Sequence, residues 1–477
     1  MSHFQLRDGV MHCEDVPLPR IAAAVGTPVF VYSAGAMRSQ ARALLTGLSP
    51  LHDPLVAYAV KANPNGAVLR TLAAEGLGAD VVSGGEYRRA RAAGIAAEKI
   101  VFSGVGKTAA EMAMALEGGL YQFNLESLPE AELLSEIAAS KGRTAPVAIR
   151  LNPDVDARTH AKISTGAGHN KFGIPIADAP AACARVAALP GLRLNGLAVH
   201  IGSQLANLEP LEAAFLKLGA TIEELRAAGH EIRTADLGGG LGINYDPSQP
   251  APPTIEDYCA MVARVTRGWD VRPIFEPGRL IVGDAGVLLT EVIRVKQGAI
   301  QPFVVLDAAM NDLLRPSLYD AWHGIDAVRP TGRRSIADVV GLYDELGIAR
   351  AHFVGISMGG MTGLGLAQQL GACLDVIVIQ IVLGQQVLRD IDTVLVPVQR
   401  HVLPEINQLQ PRTGGVGHLD QLRAVGFIQM QHQAANRVGR AAAVVEQVRP
   451  SCVTVHQHIL PERAQQIVEE LNREPLL

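Results

Sequence analysis

The sequence predicts an α/β protein: a (β/α)8 TIM-like barrel, an incomplete β-sandwich domain and an atypical C-terminal extension. Three observations carry that expectation. Between residues 25 and 284, short apolar runs alternate with Ala/Leu/Glu-rich amphipathic stretches. Eight of the apolar runs have strand length, and the texture of the chain then changes near residues 285 and 334.

In chain order the strand candidates are Leu55–Val60, Gly78–Val82, Ile100–Ser103, Tyr121–Asn124, Val147–Leu151, Gly196–His200, Thr234–Leu237 and Pro273–Glu276. Helical patterns separate them. In Leu211–Ala228, for instance, Leu211, Phe215, Leu218 and Ile222 recur on one face. Eight strands in roughly 250 residues match one closed barrel, with a doubly wound sheet as the other arrangement of such alternation. Residues 1–24 and 285–333 are expected to form the partial β-domain, with antiparallel strands in Val287–Val295 and Pro302–Leu306. Beyond about Arg334 lysine disappears while Gln and Val become frequent, so the tail has the composition of a separate origin. Residues 334–370 read as helix, strand and tight turn. Residues 371–477 stay unassigned and are expected to be poorly ordered, with a strand candidate at Val376–Leu383 and a helical face of Ala464, Ile467, Val468 and Leu471.

Composition narrows the class. With 477 residues, 48% of them hydrophobic, the chain can bury a large core. A net charge of −5 gives no reason to expect a nucleic-acid partner. The longest apolar run is too short to span a bilayer, and no apolar leader follows Met1. Five cysteines lie without metal-ligand spacing, so no metal is expected and a reducing, cytoplasmic location is.

Barrel chemistry sits at the C-terminal strand ends, and unusual polar residues fall there. Lys61 follows the first strand; among apolar neighbours its ammonium would be destabilised and its amine could condense with an aldehyde. His200 ends the sixth strand ahead of Gly202 and Ser203, which leave room for a flat ring and a phosphate. Gly238, Gly239 and Gly240 free backbone N–H groups to converge on an anion. Glu276 could keep a pyridine nitrogen protonated, and Arg279 could clamp a carboxylate. Taken singly, each also fits a plainer role: a surface lysine, a satisfied core histidine, a tight turn, a structural Glu–Arg pair.

Their joint order resembles the fold-type III pyridoxal-phosphate (PLP) decarboxylases. The motifs are Tyr58-Ala-Val-Lys61-Ala-Asn63, Ser83-Gly-Gly-Glu86, His200-Ile-Gly-Ser203, Gly238-Gly-Gly240 and Glu276-Pro-Gly-Arg279. Within that family, three further segments are similar to the diaminopimelate decarboxylase branch. They are Arg150-Leu-Asn-Pro153, His160 to Gly166 with Lys171-Phe-Gly173, and Asn311-Asp312 through Arg315, Tyr319 and His323. The similarity covers residues 1 to about 330.

The resemblance implies PLP as cofactor, an amino acid as substrate, and conversion of meso-2,6-diaminopimelate to L-lysine and CO2. It implies Lys61, His200 and Glu276 as catalytic residues, with Lys61 as the Schiff-base lysine. Cofactor contacts would come from Lys61, Asp80, His200, Ser203, Gly239, Gly240, Glu276, Gly278 and Arg279. Arg279, Arg315 and Tyr319 would hold the substrate's distal end, and the family builds its sites in homodimers.

The pattern then breaks. The family's Gly-Pro-x-Cys-Glu-Ser-Gly-Asp and Gly-Ala-Tyr segments do not occur, and Cys373 and Cys452 lie in unrelated contexts, so weak activity is expected. Instead, His352-Phe-Val-Gly355-Ile-Ser357-Met-Gly-Gly360 resembles an α/β-hydrolase nucleophile elbow. Three other functions follow: a decarboxylase of another basic amino acid, an ester hydrolase acting through Ser357, or a non-catalytic PLP binder. Borohydride trapping on Lys61 and fluorophosphonate labelling of Ser357 separate the first two classes.

Overall fold

The computed structural model describes residues 3–156, 171–245, 248–296, 303–319, 321–330 and 376–381. Eight parallel strands form its centre: β1 (Leu55–Ala59), β2 (Gly78–Val81), β3 (Ile100–Phe102), β4 (Gln122–Leu125), β5 (Ala145–Asn152), β6 (Leu192–Val199), β7 (Thr234–Asp236) and β8 (Arg272–Phe275). Each pairs with the next in chain order, and β8 returns to β1 through Ile274 opposite Leu55 and Phe275 opposite Val56. The sheet is therefore closed, as the alternating sequence predicts. All eight strand candidates overlap an observed strand.

Period-two alternation decides what each strand buries. Val56, Tyr58, Phe102, Phe123, Ile149, Leu197 and Phe275 point outward into the layer between sheet and helices and are almost wholly buried there. At roughly 1.5–3 kcal/mol for each large apolar side chain removed from water, this layer supplies most of the barrel's stabilisation. Inside the barrel, Leu55, Ala57, Val101 and Ile274 form an apolar floor. The next inward positions towards the C-terminal ends are Asp80, Ser103, Asn124, Arg150, His200, Asp236 and Glu276. The barrel is thus apolar below and polar above.

Helices follow the strands, and several begin with their own caps. The Thr108 and Thr254 side chains close capping boxes with Glu111 and Asp257, while Ser83 and Ser127 accept from the backbones of Glu86 and Glu130. After β8 only a short turn, Arg279–Val282, remains helical. The slot of an eighth helix is filled by Ala34–Leu48, from before β1, which packs against Gly66–Ala74 and Ile255–Val265.

A second, antiparallel sheet gathers strands from distant parts of the chain. Its long strand Gly286–Lys296 pairs with Val29–Tyr32, Phe303–Leu306 and Val376–Ile381, and the last of these pairs with Ile325–Ala327. Two of these strands differ from the sequence expectation. Val29–Tyr32 lies inside the range read as barrel, yet its free edge matches Gly286–Leu289 better than any barrel strand can, since the barrel has no edge. Val376–Ile381 lies in the unassigned stretch, and its β-branched run, Val-Ile-Val-Ile-Gln-Ile, completes ladder bonds along Gly286–Glu291. A three-stranded N-terminal sheet (Phe4–Arg7, Val10–Cys13, Val16–Pro17) packs on this one through Cys13, Leu18, Val31, Val287, Leu289 and Val328. The Ser357 elbow, the His160–Gly166 motif and the helical face at 464–471 lie outside the described residues.

Candidate active site

A cleft opens at the C-terminal end of the barrel. Lys61, His200, Ser203, Gly239, Gly240, Glu276, Gly278 and Arg279 all line it. Eight of the residues singled out in the sequence therefore share one cavity, and Asp80 joins them through a bond to Lys61.

Lys61 sits in the tight turn Val60–Ala62 that ends β1, and its Nζ donates to Asp80 Oδ2 at 2.8 Å. The expectation of a destabilised ammonium is corrected here. Burial does act against the charge, but Asp80 and Glu276 outweigh it and hold the Lys61 pKa above its ordinary value. Position along the chain showed the apolar neighbours, whereas the two carboxylates come from β2 and from the end of β8.

His200 behaves oppositely. Burial first, then the positive charges of Arg150 and Lys61, push its pKa well below the usual imidazole value. The ring is neutral, and its Nδ1 accepts from the Gly239 N–H at 3.2 Å, which leaves the proton on Nε2. Arg150 itself is tied to Glu126 at 2.7 Å, and Glu126 also accepts from Gly104 and Gly173 N–H. This ion pair braces the rim beneath His200, whose carbonyl accepts from Arg150 at 3.4 Å.

The glycine run is a cradle in the steric sense. A Cβ at Gly239 would lie 2.2 Å from the Glu276 carbonyl oxygen, and one at Gly240 (φ +117°) would lie 2.4 Å from that of Gly202. Only glycine permits this approach of β7 and β8 loops, and the resulting bare backbone faces the cleft. Glu276 lines the same cleft beside this run. Its carboxyl accepts from Ser103 Oγ at 3.1 Å, and burial, followed by the charges of Asp236 and Asp80, raises its pKa well above the usual carboxylate range.

Arg279 and Arg315 converge on one ring. Their guanidinium carbons lie 5.4 and 4.3 Å from the centroid of Tyr245, and Arg279 also bonds the Tyr245 hydroxyl and donates to Ser203 Oγ at 3.3 Å. Arg315 starts the short helix Arg315–Tyr319 and approaches His323 Nε2 at 3.4 Å. The side chain of Tyr319 lies outside the described residues.

Sequence reasoning gave no role to Tyr245, Ser103, Asn124 or Asp236. Tyr245 has no motif signal of its own beyond following the glycine run. The other three were within reach: each is a polar residue at the inward C-terminal end of a strand, and the rule used for Lys61, His200 and Glu276 applies to them equally.

The donor set fits PLP. One cleft is lined by an amine, a carboxyl, a neutral imidazole and a cradle of backbone that a single Cβ would fill. Among the described residues no cluster suited to a metal ion occurs.

Comparison with known proteins agrees with this geometry. Residues 35–283 match the family model of the pyridoxal-dependent decarboxylase pyridoxal-binding domain. The chain is 54% identical to a diaminopimelate decarboxylase of Zymomonas mobilis over 349 residues, covering 73% of this chain and 83% of that protein. It is 46% identical to one of Pseudomonas fluorescens, covering 78% and 89%. A crystal structure of diaminopimelate decarboxylase from Helicobacter pylori, complexed with L-lysine, superimposes with a TM-score of 0.69 at 34% identity, covering 77% and 88%.

Proposed function

The chain belongs to the pyridoxal-dependent decarboxylases, and from that premise we propose the roles of its individual site residues. Its reaction is the PLP-dependent decarboxylation of meso-2,6-diaminopimelate to L-lysine and CO2. The observation that carries the residue assignment is the shared cleft: Lys61, Glu276, His200 and the glycine cradle all line it.

Lys61 would be the covalent attachment point for the cofactor, and its amine would be placed to hold or return a proton in the cleft. Ser203, Gly239, Gly240 and the Gly278–Arg279 backbone bind the phosphate, where bare N–H groups and Arg279 favour an anion. His200, neutral and held by the Gly239 N–H, would pack against the cofactor without adding charge. Glu276 would hold a proton at the cofactor's ring nitrogen, and Asp80 keeps Lys61 oriented. When bound, PLP supplies an electron sink for the pair released as CO2 leaves. Arg279, Arg315 and Tyr319 take the distal carboxylate, which favours diaminopimelate over ornithine or arginine, since those lack one.

The domain division follows the same reading, barrel at 25–284 and partial β-domain at 1–24 and 285–333, except that Val29–Tyr32 and Val376–Ile381 join the β-domain. A homodimer, a cytoplasmic location and a rate below that of the relatives complete the proposal. The reduced rate rests on the family segments this sequence does not carry. The experiment is direct. Purified chain with PLP and meso-diaminopimelate should release lysine, slower than the Zymomonas mobilis relative and far faster than with ornithine or arginine. Equal turnover of ornithine would refute the substrate assignment.

A further inference from the structure

Tyr245 meets two arginines of the site and has no part in the roles assigned above. Its ring centroid lies 4.3 Å from the Arg315 guanidinium carbon and 5.4 Å from that of Arg279, and its hydroxyl accepts from Arg279 Nη1. The two cations come from separate parts of the chain, Arg279 from the turn after β8 and Arg315 from the short helix Arg315–Tyr319. Like charges brought to one place repel each other. An aromatic ring offsets that repulsion, because its π electrons and its hydroxyl oxygen attract both guanidinium groups.

The loop that carries Tyr245 is itself fixed. The loops after β6 and β7 run side by side: the Leu205 N–H donates to the Gly240 carbonyl at 2.9 Å, and the Gly242 N–H donates to the Leu205 carbonyl at 3.1 Å. A Cβ at Gly242 would stand 2.7 Å from the Leu205 carbonyl oxygen, so this approach needs glycine. Gln204 extends the ladder with its side chain. Its Nε2 donates to the Ile243 carbonyl at 2.6 Å, and its Oε1 accepts from the Ile243 N–H at 3.3 Å. Gln204 does so from φ +61°, a left-handed backbone that a residue with a side chain keeps only where its surroundings impose it. Tyr245 follows two residues after this clamp.

We propose that Tyr245 is a positioning residue for substrate specificity: it gathers the Arg279 and Arg315 guanidinium groups before substrate arrives, so that the distal carboxylate of the diacid meets a ready two-arginine site. Without the ring, the carboxylate must itself bring the two cations together, and that cost is taken from binding. Ligands without a distal carboxylate gain nothing from the arrangement. The effect falls on KM rather than kcat, since the gathered arginines serve the end of the substrate that keeps its carboxylate. The proposal rests on the reading of Arg279 and Arg315 as the distal-carboxylate grip.

Steady-state kinetics on the PLP-loaded full chain test it. L-Lysine retains the distal carboxylate, because CO2 leaves from the other end, whereas 1,5-diaminopentane has no carboxylate. Their inhibition constants against diaminopimelate therefore isolate that group. Tyr245→Leu should raise the KM for diaminopimelate and the inhibition constant of lysine by about tenfold each, with kcat and the diaminopentane constant within about twofold. Tyr245→Phe, which keeps the ring and loses the hydroxyl, should stay within about threefold of the parent for lysine. Equal weakening of lysine and diaminopentane in Tyr245→Leu, or a fall in kcat with KM unchanged, overturns the proposal. So does a Tyr245→Phe protein weakened about tenfold for lysine, whatever the fate of Tyr245→Leu. If the parent chain binds lysine no better than diaminopentane, the carboxylate-grip reading falls and takes the proposal with it; a preference in the parent that survives in Tyr245→Leu overturns the proposal alone.

Discussion

The barrel and the second sheet are held together by contacts of different kinds. In the barrel, every strand pairs with the next one in the chain, and each βα unit contributes one inward side chain to the polar end. The second sheet assembles strands that begin at residues 29, 286, 303, 325 and 376, so its pairings span hundreds of residues. The chemistry is concentrated where the contacts are regular, because a closed sheet gives each strand end a fixed direction. The second sheet contributes Arg315, on a connection rather than on a strand, to the Tyr245 ring that Arg279 also meets.

That contrast can be broken by substitutions that strike one region only. The largest effect is expected at Lys61. Lys61→Ala removes the attachment point and should lower lysine formation by at least about 10³-fold, with loss of borohydride-trapped cofactor. Glu276→Gln comes next, with a fall of about 10²-fold, the size of losing one strong electrostatic partner in a dry site. The same variant carries a pH signature. Glu276 has a raised pKa in the fold, so its stabilising contribution is complete below its unfolded value and is lost as pH rises through the folded value. Removing it should flatten the alkaline decline in melting temperature of the cofactor-free protein; an unchanged slope would contradict the burial argument.

Gly239→Ala tests the cradle. With only 2.2 Å between the new Cβ and the Glu276 carbonyl oxygen, β7 and β8 loops must separate, at about 1–3 kcal/mol of stability. PLP affinity should fall by about tenfold or more, read from absorbance titrations. The smallest effect on the site is expected from the second sheet. Val378 lies between Leu289 and Asp326 in the ladder, so Val378→Pro should cost about 2–3 kcal/mol there. PLP affinity should change by less than about threefold, a factor worth well under 1 kcal/mol. A larger loss of cofactor binding would mean that the two regions are coupled.

Much of the barrel was legible because its periodicity is local. A strand of five residues between glycine or charged turns reads the same whatever surrounds it, and each of the eight candidates overlaps an observed strand. The site was legible at Lys61, His200, the glycine run and Glu276, where an unusual residue closes an apolar run. Asn124 and Asp236 close their strands in the same way but drew no notice, because an amide or an acid at a strand end is ordinary until its partner is known. Tyr245 was beyond reach: its value lies in two arginines, one of them Arg315, brought to its ring from elsewhere in the chain.

Sequence alone thus determined the alternation of strands and helices, the inward-facing residue at each strand end, and the family to which those residues point. Tertiary structure alone decided their charges. Lys61 was expected to lose its proton more easily and instead holds it more tightly, and Glu276 was expected as a carboxylate yet stands beside a second acid. The reason is physical: polarity is a property of a residue, but protonation depends on burial and on charges a few ångströms away, and in a closed barrel those charges arrive from strands far apart in the chain.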